Sequence, residues 1–169
     1  MTTGAVAADW ILRIAEDERK RDEVRAREEE TAARKAELIR LNGRRLIDEL
    51  RAAVARDVEA FRCEFAGDRS REIVLDSTDA TGGFAVRKPA SPAVTLTAEP
   101  DLAAAAMDCR YRFSSASGLP PREDRVELVF AADGAEALQI RTQRTGQVFA
   151  SADALSEYLL SPVFTGRPR

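Results

Sequence analysis

Chemistry in a small chain starts with its titratable and nucleophilic side chains. Here the first candidates sit in "DSTDATGG", Asp76 to Gly83, where two acids and three hydroxyls run into a pair of glycines. A calcium loop needs acids at alternate positions, a glycine at the sixth and a distal glutamate. The spacing of Asp76 and Asp79 does not match, and the composition is that of a hairpin turn. Carboxylate catalysis by these two acids stands as the last-ranked function; it needs a cleft where convergent groups perturb one of them.

The chain contains no histidine. That removes a histidine general base, a histidine-assisted nucleophile and a histidine-ligated metal together. Tyr111 and Tyr158 remain as acid–base groups, with no partner visible in the sequence. Cys63 and Cys109, 46 positions apart, do not make the framework of a secreted disulfide protein. Cys109 falls among apolar residues, and Cys63 lies about 200° around its helix from Phe61 at 100° per residue. The Gly-rich phosphate, dinucleotide and nucleophile-elbow motifs do not occur. No enzyme, cofactor or metal is expected.

Arg110, Arg112, Arg125, Arg141 and Arg144 could line one face of a sheet as a basic strip. Nucleic-acid binding would need aromatic rings among them, but Tyr111 and Phe113 alternate to the other face. From Gly67 to Arg169 there are 12 Lys plus Arg against 14 Asp plus Glu, a net of −2. Glu127, Asp108 and Glu136 are cross-strand counter-charges for the arginines. The whole chain carries −3 with a pI near 5.2, so no nucleic acid and no anionic membrane is expected as a partner. The apolar opening "GAVAADWILRIA" is interrupted by Asp9 and Arg13, lacks a basic leader and is too short to cross a bilayer. A soluble, cytoplasmic protein is the expectation.

The elements that must position these residues change character near Gly67. Upstream there is no proline, and glycine occurs only at Gly4 and Gly43. From Arg44 to Ala66, Leu46, Leu50, Val54, Phe61 and Phe65 recur at spacings of 4, 4, 7 and 4, with Ile47 and Val58 flanking. This is one apolar stripe on a helix, stopped at Gly67. Asn42-Gly43 can break or kink the helix at its start, since glycine costs about 1 kcal/mol against alanine there.

Between Ala15 and Glu37, 16 of 23 residues are charged. Glu16 with Lys20, Asp17 with Arg21, Glu23 with Arg27 and Glu30 with Arg34 set acid before base at i,i+4, the order that supports an isolated helix. Val24, Thr31 and Leu38 recur every seven, but their companions Lys20, Arg27 and Arg34 are charged, so the coiled-coil seam is weak. Before this stretch Val6, Trp10, Ile11 and Ile14 group on one side of a helix. A straight helix from 5 to 41 would measure about 55 Å at 1.5 Å per residue. That reads as a charged spacer ending in an apolar knob.

Downstream of Gly67 come all seven prolines and short runs of alternating character. Candidate strands are Arg71–Ser77, Gly83–Lys88, Ala93–Glu99, Ala104–Ser114, Arg125–Ala132, Glu136–Gln143 and Gly146–Ala150. Short turn-rich links make them antiparallel. The longest irregular link is "SSASGLPPRED", Ser114 to Asp124. In "MDCRYRFS", Met107, Cys109, Tyr111 and Phe113 face one way and Asp108, Arg110, Arg112 and Ser114 the other. Val126, Leu128 and Phe130 repeat the pattern, as do Val94, Leu96 and Ala98. A closing helix runs from an N-cap at Ser151 to Pro162, leaving "TGRPR" frayed.

The expected architecture is α+β: a long N-terminal helical region, a curved antiparallel sheet of 5–7 strands and a short C-terminal helix. Residues 1–43 form the charged arm with its apolar knob, and 44–169 the helix plus antiparallel sheet domain. The expected function is a non-enzymatic protein-interaction or oligomerisation module, with Val6, Trp10, Ile11 and Ile14 docking to a second copy or a partner protein. The alternative is a small-molecule-binding domain with its ligand between curved sheet and helix.

Overall fold

The structure is a computed structural model and describes residues 8–77, 81–132 and 137–169. It is α+β. Helix α1 spans Asp9–Leu38, a π-helical turn Ile39–Gly43, and α2 Arg44–Glu64. Seven strands follow: β1 Val74–Ser77, β2 Phe84–Lys88, β3 Ala93–Asp101, β4 Ala106–Ser114, β5 Arg122–Ala132, β6 Leu138–Thr142 and β7 Val148–Phe149. Helix α3, Ala152–Thr165, closes the chain. Packing divides the chain into two units, one ending at Glu37 and the other running Leu38–Arg169.

In the first unit α1 buries none of its described side chains. Its support is local. Glu16 and Lys20 pair at 3.0 Å at i,i+4, and Arg21 reaches Glu18 at 2.6 Å at i,i+3. Such pairs each add roughly 0.2–0.5 kcal/mol of helix stability.

In the second unit Asn42-Gly43 does not break the helix. Leu38, Gly43 and Arg44 all keep right-handed helical dihedrals, and one π turn absorbs the irregularity. Gly43 is buried, and a Cβ there would stand 2.8 Å from the Leu102 side chain. The glycine is a packing notch for the β3–β4 turn. α2 then buries Ile47, Leu50, Ala53, Val54 and Val58. Phe61 is half-buried, but Phe65 is 38% exposed, because the helix stops at Glu64 and Phe65 already lies outside helical dihedrals.

The sheet is a curled antiparallel meander in the order β1 to β7. β3 and β4 pair over their whole length, from Ala93↔Ser114 to Asp101↔Ala106. Period-two alternation sorts the faces: Met107, Cys109, Tyr111 and Phe113 are buried, and Arg110 and Arg112 are exposed. Val94, Leu96, Ala98, Leu128 and Phe130 join them in one core with α2 and α3.

α3 begins as its sequence reads: the Ser151 hydroxyl accepts from the Ala154 N–H at 3.1 Å. Its end differs. Pro162 lies inside the helix, buried, and the helix stops at Gly166 with φ 68°. Proline's fixed φ fits a helix, so Pro162 removes one hydrogen bond without ending the turn. α3 is held to α2 by the Ser156 hydroxyl donating to Asp57 at 2.7 Å, by Arg56 on Asp153 at 2.9 Å, and by stacking of Phe61 on Phe164 at 4.3 Å.

Candidate functional site

Three places bring together side chains that could act. The first is the start of α1. Trp10 is 58% exposed, Ile11 43% and Ile14 52%. Leu12, absent from the expected knob, is 55% exposed beside them. Successive helical residues turn by about 100°, so Trp10, Ile14, Ile11 and Leu12 cover an apolar arc, with Asp9, Arg13 and Glu16 on the remainder. Val6 lies outside the described residues.

The second is the wet face of the sheet. Asp108 accepts from Arg110 at 2.8 Å and Arg125 at 2.7 Å, and Arg125 also reaches Glu127 at 2.7 Å. Partial burial alone would raise the Asp108 carboxyl; the guanidiniums of Arg125 and Arg110 outweigh it and hold it below the usual carboxylate range. The Arg110–Arg125 part of the basic strip is therefore a cross-strand ion-pair network. Asp76 engages Arg87 at 2.9 Å on β1 and β2. Asp79, like Glu136, lies outside the described residues.

The third is an open groove of about 850 Å³ between β4–β6 and α3. Its floor is Tyr111, Phe113, Asp124 and Val126; Tyr158 and Pro162 of α3 make one wall and the Thr142–Thr145 turn another. Tyr111 is positioned by donating its hydroxyl to the Leu159 carbonyl at 2.6 Å. Burial pushes its phenol well above the ordinary range, against the pull of the nearby Arg169 guanidinium. Tyr158 is half-buried, and Arg169 lies 3.4 Å over its ring centroid. The tail expected to fray is thus seated. At the turn, the Thr142 and Thr145 hydroxyls bond each other, and Gln147 N–H donates to Thr142.

The cysteines stay apart as free thiols. Cys63 is exposed on α2, while Cys109 is in the core, where burial pushes its thiol up to about 12. Under the helices the core is closely filled: Leu50, Val54, Val58, Leu96, Met107, Leu128 and Phe130 are each exposed by 1% or less. Among the described residues, no group of three or more His, Cys, Asp or Glu converges as a metal site, and no helix is long and apolar enough to cross a membrane.

The groove is what sequence reasoning missed. Arg122, Glu123 and Asp124 read as the end of a loop, yet they are the first three residues of β5, paired with Phe113, Arg112 and Tyr111. Charged residues are poor strand formers, so propensity hid them. The recoverable signal is the alternation of Glu123, Arg125 and Glu127 with Asp124, Val126 and Leu128. Comparison with protein families, with curated proteins and with solved structures finds no match for this chain.

Proposed function

We propose that this chain is a non-enzymatic protein-interaction module whose N-terminal helix docks through Trp10, Ile11 and Ile14, with Leu12 beside them. The carrying observation is that these four large apolar side chains are each between 43% and 58% exposed on a helix that buries no described side chain. Contiguous exposed apolar surface of this kind is characteristic of an interaction site. The occupant we assign is the same segment of a second copy; a partner protein's helix is the other outcome. A single patch that pairs with itself about a two-fold axis needs no second surface. The charged stretch behind it keeps the helix formed in water through its own ion pairs, which is what a docking arm requires. Free thiols at Cys63 and Cys109 fit a reducing, cytoplasmic setting. The acids Asp57, Asp76, Asp108 and Asp124 are engaged with arginines, which favours a structural role for them over catalysis.

Sedimentation velocity on the full chain, beside Ile11→Glu and Ile14→Glu, tests the reading. The expected result is a concentration-dependent dimer in the native chain and monomer in both variants. A native chain that stays monomeric throughout removes the second copy as occupant.

A further inference from the structure

β5 is longer than what lies against its outer side. β4 pairs with it from Arg122 to Val129, but the β6 register begins only at Leu128↔Thr142. One more bond, from Gln143 N–H to the Glu127 carbonyl at 2.9 Å, ends the contact. In an antiparallel strand, alternate residues turn both backbone groups toward the same neighbour. Phe130 donates toward the β4 side, to Ala105 at 2.9 Å, and Glu127 accepts from the β6 side. Glu123 and Arg125 are in phase with Glu127. Their N–H and C=O groups point where no strand lies, and among the described residues nothing bonds to them.

An open edge of this kind is a template for another strand unless it is short, bulged or covered. The far edge, β1, has four residues. The β5 edge instead opens onto the groove under α3, so an added strand gains side-chain surface as well as backbone bonds. Its side chains opposite Asp124 and Val126 would enter the groove, toward Tyr158 and Pro162; those opposite Glu123 and Arg125 would face water.

Charge selects the occupant. Asp124 holds Arg122 at 3.3 Å, Glu127 holds Arg125 at 2.7 Å, and Glu123 stands opposite Arg112 on the other face. Arg144 and Arg169 also line the groove, and neither has a carboxylate partner among the described residues. The uncompensated charge is positive.

We propose that the β5 edge at Glu123 and Arg125 takes up an acidic peptide as an added antiparallel strand, with one apolar side chain in the groove and one carboxylate on Arg169. This is strand addition, in which backbone bonds give affinity and alternate side chains give selectivity. It is independent of the α1 surface.

The test uses the full chain and four fluorescein-labelled pentapeptides: Thr-Glu-Thr-Val-Thr, which sets its Glu opposite Val126 and its Val opposite Asp124, the same with Lys in place of Glu, and two N-methylated forms of the Glu peptide. The Glu peptide binds and protects the Glu123 and Arg125 amides from hydrogen exchange. Methylating its Thr nitrogens abolishes binding, because they face β5; methylating its Val and Glu nitrogens leaves binding unchanged. The Lys peptide is weaker, and Arg169→Gln costs the Glu peptide roughly tenfold while sparing the Lys peptide. Arg125→Pro removes an outward N–H that β4 does not use, a change edge strands tolerate, and it abolishes binding with cooperative unfolding retained. Equal binding of Lys and Glu peptides, indifference to both methylation patterns, or unprotected amides at 123 and 125 overturns the proposal. Protection that grows with protein concentration without peptide assigns the edge to a second copy, and also overturns it.

Discussion

Helices α1 and α2 are written in nearly the same alphabet of Arg, Glu, Asp and Ala, yet they are stabilised by different physics. α1 has 30 residues and buries none; α2 has 21 and buries five. The difference is the spacing of a few large apolar residues. In α2, Ile47, Leu50, Val54 and Val58 repeat on one face, so packing supplies the stability. In α1 no such stripe recurs between Ala15 and Glu37, and the helix rests on pairs between its own side chains. An amphipathic stripe makes a helix part of a core. Its absence leaves one that stands in water and holds its few apolar residues for something else.

The sharpest way to break this contrast is to truncate one large apolar side chain in each helix, buried Leu50 in α2 and exposed Val24 in α1. Leu50→Ala should cost about 2–5 kcal/mol of unfolding free energy, whereas Val24→Ala in α1 should stay within about 0.5 kcal/mol. Urea titration followed by circular dichroism measures both; a Val24→Ala loss near that of Leu50→Ala would mean α1 is packed. Next come the polar locks of the sheet unit. Tyr111→Phe removes the bond to the Leu159 carbonyl, and Ser156→Ala the bond to Asp57; each should cost about 1 kcal/mol.

Acid should separate the units further. The Asp108 carboxyl is held below its unfolded value, so its contribution is present above the unfolded pKa and lost as pH falls through the folded one. Unfolding midpoints measured down that range should fall less in Asp108→Asn than in the native chain; identical slopes would remove the ion-pair network from the account. The smallest effect belongs to α1. Glu16→Gln loses the pair to Lys20 and should lower helicity by a few tenths of a kcal/mol at low salt, and by less at high salt. A salt-independent change would argue against electrostatic support.

The alternation of Met107 to Phe113, and of Val94 to Ala98, was enough to read the sheet's two faces from sequence. A strand's period is two wherever one face is buried, so the signal is local. What failed depended on distant partners. Gly43 reads as a breaker, but its reason is Leu102, nearly sixty residues on. Pro162 reads as a stop, but its backbone angle suits the helix and its ring is buried within α3. Leu12 breaks no pattern, so only its exposure in the structure adds it to Trp10, Ile11 and Ile14. The groove needed both failures at once: a charged strand start at Arg122 and a tail, ending in Arg169, that packs on Tyr158.

Trp10 is the only tryptophan in the chain, so its emission reports the proposed docking surface with no background. Emission recorded across a dilution series of the full chain tests the central claim most directly. The account predicts a shift to shorter wavelength as concentration rises and Trp10 leaves water, with no shift in Ile11→Glu or Ile14→Glu. Emission fixed at the water-exposed position at every concentration, in a chain that sediments as a monomer, would contradict it.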